Sequence, residues 1–67
     1  MNLSRKFLIS ILEKNGFEFK GAKGSHQVYY NLSNNKTVIV PVHGNKDMPK
    51  GTFFAILKQA GIDKSKI

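Results

Sequence analysis

The sequence predicts an α+β fold with the element order α-β-β-β-α, and three observations support this. Apolar residues with helical spacing occur near both ends of the chain, within residues 7–12 and 53–60. Between them lie three short segments rich in β-branched and aromatic residues, at 17–20, 27–30 and 37–42. Because the links are short, we expect a three-stranded antiparallel meander with both amphipathic helices on one face.

The first helix is predicted over about residues 4 to 15. Ser4 is a suitable N-cap, and Gly16 after Asn15 is typical of a helix C-terminus. The apolar positions share one helical face: Phe7, Leu8, Ile11 and Leu12.

The three strands follow from alternation and turn signals. The first strand ends before a Gly-rich link at residues 21–24, and the second and third are joined by a turn at 33–35. On the second strand, Val28 and Tyr30 are expected to face the helices. Tyr29, which lies between them in the strand, would then point to the open face of the sheet.

The second helix is predicted to begin near Pro49, which suits a first helical turn, and to end at Gly61. Its apolar face completes the expected core. The predicted core consists of Phe7, Leu8, Ile11, Leu12, Phe17, Phe19, Val28, Val38, Val40, Phe53, Ile56 and Leu57.

Composition limits the possible classes of protein. A chain of 67 residues suits one small domain, here residues 1–67, and about thirty per cent Leu, Ile, Val and Phe allows a core. No residue is cysteine, and no apolar run has the length of a membrane span. The basic start lacks the features of a signal peptide, so a cytoplasmic location without membrane contact is expected.

The net charge of +7 is spread along the chain. Residues 1–16, 17–50 and 51–67 carry +2, +3 and +2, so the excess is not a basic tail. This distribution favours a polyanion-facing surface, with nucleic acid, an acidic protein or anionic lipid as candidate partners. A merely soluble basic surface is the alternative.

Two histidines, His26 and His43, are candidates for proton transfer near neutral pH. His26 follows Lys23-Gly24-Ser25, in which a glycine permits close approach of a ligand and a lysine can meet a phosphate. A flexible connection with an incidental histidine is the competing interpretation. The spacing of the histidines predicts no metal site, and no motif for a small-molecule cofactor is present.

The sequence alone does not assign a role to several other polar residues. Adjacent residues on a strand point to opposite faces, which argues against Ser25 and His26 as a nucleophilic pair. Tyr29 could stack on a base or cover the sheet. The lysines that either contact phosphate or are simply solvated are Lys46, Lys50 and Lys58.

Taken together, five segments between residues 4 and 62 resemble the HicA mRNA interferase toxins. These segments are Leu12-Glu13-Lys14-Asn15-Gly16-Phe17, Lys23-Gly24-Ser25-His26-Gln27-Val28-Tyr29, Val38-Ile39-Val40-Pro41-Val42-His43, Pro49-Lys50-Gly51-Thr52 and Ile56-Leu57-Lys58-Gln59-Ala60-Gly61. The resemblance implies a fold similar to the double-stranded-RNA-binding domain. It also implies a toxin that cleaves mRNA and is silenced by a HicB-type antitoxin.

The resemblance places the family's catalytic histidine at His26. Many relatives have a second histidine beside it, where this chain has Gln27. On this basis we expect a metal-independent endoribonuclease in which His26 is the base and Lys23, with the N–H groups of Gly24 and Ser25, meets the phosphate. Water, Lys23 or His43 is left as the acid.

Two other functions stay open at this point. A non-catalytic RNA-binding module of the same fold would protect RNA rather than shorten it. A protein-interaction domain for an acidic partner is also compatible with the charge, and it overlaps with the toxin because an antitoxin is expected to complement a basic surface.

Overall fold

Two helices pack on one face of a three-stranded antiparallel sheet, as the sequence predicts. The computed structural model describes residues 2–42, 44 and 46–66. The elements are α1 (Arg5–Lys14), β1 (Phe17–Lys23), β2 (His26–Asn31), β3 (Lys36–Pro41), α2 (Lys50–Ala60) and a short 3₁₀ turn (Lys64–Lys66). The strand order is β1-β2-β3, so β2 lies in the centre.

The ends of α1 are formed as its sequence predicts. The Ser4 hydroxyl accepts a hydrogen bond of 3.1 Å from the Phe7 N–H, which satisfies one of the free amides of the first turn. After the helix, Gly16 has a φ of +92°, a conformation that strains residues with a side chain. The chain therefore turns sharply into β1.

The helix α2 starts one residue later than Pro49, which occupies the N-cap position. It ends in a left-handed glycine, Gly61, with a φ of +77°. The Ile62 N–H donates to the Leu57 carbonyl at 2.9 Å, closing the C-terminus with a Schellman-type bond. The predicted end of this helix is confirmed.

A β-bulge in β1 changes which face its residues take. Phe19 pairs with Tyr29 and Gly21 with Val28, so Lys20 is an extra residue in β1. Residues on either side of a bulge exchange faces relative to a regular strand. The bulge therefore places the last residue of β1, Lys23, on the same face as His26, with which it pairs.

The predicted orientation of β2 was wrong by one residue. Tyr29 faces the helices and is only 5% exposed, whereas Val28 and Tyr30 are half-buried on the opposite, open face. Two contacts explain this. The Tyr29 ring packs edge-on against Phe19 at 5.7 Å between centroids. Asn31, two residues further along the same face, is buried and donates a hydrogen bond to the Asn15 carbonyl.

Asn31 ties three segments together from its buried position. Its Nδ2 donates to the Asn15 carbonyl at 2.8 Å, at the end of α1. Its Oδ1 accepts from both the N–H and the hydroxyl of Ser33, at 3.0 and 2.8 Å. Because these bonds satisfy a buried amide, Asn31 fixes the face of the whole strand.

The core otherwise resembles the prediction. The predicted core residues that are buried are Leu8, Ile11, Leu12, Phe17, Val38, Val40, Phe53, Ile56 and Leu57. Phe7 and Val28 are half-buried, and Phe19 is 53% exposed at the edge strand. The core also includes three residues outside the predicted list: Tyr29, Met48 and Ala60, the last of which the helical spacing places on the apolar face of the second helix.

Candidate functional site

The candidate site is the tight turn between β1 and β2. Its closing pair is Lys23 and His26, with Gly24 and Ser25 as the two-residue loop. Gly24 has a φ of +60°, and glycine in the first loop position is typical of a type II′ hairpin turn. The predicted link at 21–24 is thus corrected: β1 continues through Lys23 because the bulge allows pairing to resume.

The turn brings the predicted site residues together. Lys23 and His26 are directly opposite each other, so their side chains leave the same face with Cβ atoms about 5 Å apart. Both are exposed. On the other side of His26 lies Pro41 of β3. An imidazole and an ammonium group therefore stand side by side on a surface that a long polyanion can reach.

The backbone of the turn is held on one side and open on the other. The Ser25 carbonyl accepts a hydrogen bond of 2.7 Å from the Val42 N–H, which ties the turn to the end of β3. A Cβ at Gly24 would meet no atom within 4 Å. A ligand can therefore approach the main chain of the turn closely.

The open face of the sheet continues from His26 along β2. Val28 and Tyr30 follow on the same face, and Ile39 of β3, 50% exposed, pairs with Val28. Tyr30 donates a hydrogen bond of 2.6 Å to Asn35 Oδ1, and Lys20 Nζ lies 5.6 Å from its ring centroid. The tyrosine on this face is the half-buried Tyr30, whereas Tyr29 is buried under the helices, so the suggestion that Tyr29 stacks on a base was wrong.

The remaining predicted residues are separated from the turn or not described. His43 lies outside the described residues. Lys50 and Lys58 are exposed at the start and near the end of α2. Lys46 lines a cavity beside Arg5 and Lys6, two cations that the sequence analysis did not single out.

The described residues offer neither a cluster for a metal ion nor a helix that could span a membrane. Residues 2–42, 44 and 46–66 contain no group of three or more His, Cys, Asp or Glu side chains placed to hold a metal ion. Neither α1 nor α2 has the length and apolar character needed to cross a membrane.

Comparison with known proteins identifies the family. Residues 5–62 match the family model described as the HicA toxin of bacterial toxin-antitoxin systems. The chain belongs to the HicA toxin family. A curated relative from Pseudomonas fluorescens (strain Pf0-1), named "Probable mRNA interferase HicA", is 40% identical over 52 residues, covering 76% of this chain and 82% of that protein. The residues of this chain that match the family model include the whole β1–β2 turn.

Proposed function

We propose that this HicA family member is a toxin that cleaves mRNA as an endoribonuclease, with His26 as its catalytic base. The observation that carries the proposal is the exposed pair of Lys23 and His26 across a tight turn. The name of the Pseudomonas relative supports RNA as the substrate.

The reaction we propose uses the nucleophile that RNA itself provides. His26 takes the proton of a ribose 2′-OH, and the 2′-oxygen then attacks the adjacent phosphorus. The bond from phosphorus to the 5′-oxygen of the next nucleotide breaks, and that oxygen takes a proton from an acid. The products are a 2′,3′-cyclic phosphate and a 5′-hydroxyl end, so the atoms and charges balance.

The other residues of the turn act on the phosphate. Negative charge builds up on the phosphate oxygens during attack, and Lys23 with the N–H groups of Gly24 and Ser25 would stabilise it. A positioned base contributes about 10²–10⁴-fold in rate, equivalent to roughly 3–5 kcal/mol. We expect a modest rate, since a single histidine occupies the family's catalytic position and Gln27 follows it.

This mechanism requires neither a metal ion nor a small-molecule cofactor, because RNA supplies the nucleophile and the protein supplies the base and the cation. Water, Lys23 or His43 is the source of the proton for the leaving oxygen. A His43→Ala variant separates these sources. A lower rate at neutral pH, together with loss of the decline in rate on the alkaline side of the pH profile, would assign the acid role to His43.

The proposed partner is a HicB-type antitoxin, since a toxin of this family works within a two-component system. The net charge of +7 favours an antitoxin with complementary negative charge. The proposed place of action is the cytoplasm, where mRNA is translated.

The testing experiment is cleavage of labelled RNA in excess EDTA by three proteins: wild type, His26→Ala and Thr37→Ala. Thr37 is a matched control because it is exposed on the same face, at the far end of β3. We expect wild type and Thr37→Ala to cut equally, and His26→Ala to cut about 10²–10⁴-fold more slowly. Equal cutting by His26→Ala, or a wild type that is inactive until magnesium is added, would refute the proposal.

A second candidate function is favoured by the open face of the sheet. The half-exposed Ile39 and the nearby Tyr30 form a surface on which unpaired bases can rest, as in non-catalytic RNA-binding modules. Such a module protects RNA from other nucleases, whereas a toxin shortens it. The same assay distinguishes the two functions by the length of the recovered RNA.

A further inference from the structure

A second cationic site lies at the start of α1. A cavity of about 230 Å³ separates the first turn of this helix from the loop that follows β3. It is lined by Ser4, Arg5, Lys6, Gly44 and Lys46. Three of these five described residues are cations and none is acidic.

The cations occupy an electrostatically unfavourable place. A helix N-terminus carries partial positive charge and favours acidic residues, yet α1 begins with Arg5 and Lys6 and has no acid in its first turn. Lys46, which also lines the cavity, adds a third positive charge. An anion in the cavity would offset this concentration of charge.

Arg5 also has an unused hydrogen-bond donor. Its Nε is buried, and no acceptor among the described residues bonds to it. A buried donor without a partner is rare in folded proteins because it loses its bond to water. The three positive charges that line the cavity favour an oxyanion as its occupant.

A short stretch of chain connects the His26 turn with the cavity. The chain leaves Val42, which bonds to the turn at Ser25, and reaches Met48, whose N–H donates to the Leu3 carbonyl at 2.9 Å. The six peptide steps from Val42 to Met48 span at most about 22 Å. Because the connecting chain is this short, a single extended polyanion can contact both places.

We propose that this cavity binds a backbone phosphate of the RNA substrate at a position outside the scissile bond, through Arg5, Lys6 and Lys46. The proposal rests on the proposed function for its substrate. RNA is favoured over an acidic protein because its charges repeat along one chain, so that one phosphate at Lys23 and another in the cavity belong to the same strand. The second site would set the path of the strand across the turn.

The test measures how strongly salt weakens RNA binding. The parent protein is His26→Ala, which we expect to bind RNA while cutting it about 10²–10⁴-fold more slowly, and the probe is a labelled single-stranded RNA of about 20 nucleotides. Each phosphate contact adds about −0.7 to the slope of log K against log salt. We expect Lys6→Ala/Lys46→Ala to make the slope shallower by about 0.7, the value for the one phosphate that the cavity holds. The charge-retaining Lys6→Arg/Lys46→Arg is expected to keep the parent slope.

A matched control removes the same charge elsewhere. Lys14 lies in the last turn of α1 and Lys36 at the end of β3 that pairs with Asn31, far from the cavity. Lys14→Ala/Lys36→Ala should keep the parent slope. All four lysines are exposed, so both double variants are expected to fold, and thermal unfolding checks this.

Each other outcome contradicts the proposal in a distinct way. Equal changes in both double variants would mean that net charge alone matters. Unchanged RNA binding with weakened antitoxin binding would assign the cavity to an acidic protein. If wild type cuts RNA while the Lys6/Lys46 pair has no effect on the slope, only the second site fails. If the parent protein does not bind RNA, both the second site and the proposed function are refuted.

Discussion

The two ends of the sheet are built for different purposes. At one end, the buried amide of Asn31 joins the end of α1 to the β2–β3 turn through three hydrogen bonds. At the other end, Lys23 and His26 are exposed beside Gly24, which has a φ of +60°. The difference shows how a small domain keeps its fold and still presents reactive groups. We call these regions the Asn31 end and the His26 end.

The largest expected effect is on activity at the His26 end. His26→Gln keeps a polar side chain but has no base, so RNA cleavage should fall by about 10²–10⁴-fold. Because His26 is exposed, the free energy of unfolding should change by less than about 0.5 kcal/mol. Urea unfolding and cleavage assays on one preparation measure both. A large loss of stability would show that the two ends are not separate.

The next effect is on stability at the Asn31 end. Asn31→Ala leaves the Asn15 carbonyl and Ser33 without their partner, and should lower the free energy of unfolding by about 2–3 kcal/mol. The matched control is Asn34→Ala, since Asn34 bonds to Lys36 at an exposed position. The control should cost under about 1 kcal/mol. Cleavage per folded molecule should stay at the wild-type level in both variants.

A smaller change tests stability and activity together within the His26 end. Gly24→Ala places a side chain at a φ of +60°, which should cost about 1–2 kcal/mol of stability through backbone strain. It should also slow cleavage, because the turn positions His26 and the main-chain N–H groups. Gly51→Ala is the control: Gly51 is exposed in α2 with open space around it, so alanine there should stabilise by about 0.5–1 kcal/mol. Unaltered cleavage by Gly24→Ala would show that turn geometry is unimportant.

The smallest effect concerns pH and the helix-covered face. Burial, reinforced by Glu13 and partly opposed by Arg5, raises the pKa of Tyr29 above its ordinary value of 10.0. The unfolded chain therefore releases this proton first, so the stability from neutral Tyr29 is full below pH 10 and is lost as pH rises through the folded pKa. Tyr29→Phe should lose less stability than wild type above pH 10. Parallel curves of unfolding free energy against pH would contradict this.

Much of the fold could be predicted from the sequence because local signals agree with the tertiary structure. Ser4, Gly16 and Gly61 end their helices as expected. The orientation of β2 was not predictable in this way, since Val28, Tyr29 and Tyr30 are all apolar enough to face the core. A long-range bond from Asn31 to Asn15 decided it.

The candidate site was predicted in part. The adjacency of Lys23 and His26 followed from their spacing and the family resemblance, but their common face depends on the bulge at Lys20, which no turn motif signals. The cavity beside Arg5 was not predicted because it joins residues about 40 positions apart in the sequence. Residues this far apart in the sequence come together only when the chain folds.

The central claim is that His26 at an exposed turn activates the 2′-OH of RNA. The most direct measurement is the chemical nature of the 3′ ends that the wild-type protein leaves when it cuts RNA in excess EDTA. We predict 2′,3′-cyclic phosphate ends, formed by attack of the 2′-oxygen. Ends that carry a 3′-hydroxyl would contradict the account, because water would then have replaced the 2′-OH as the nucleophile.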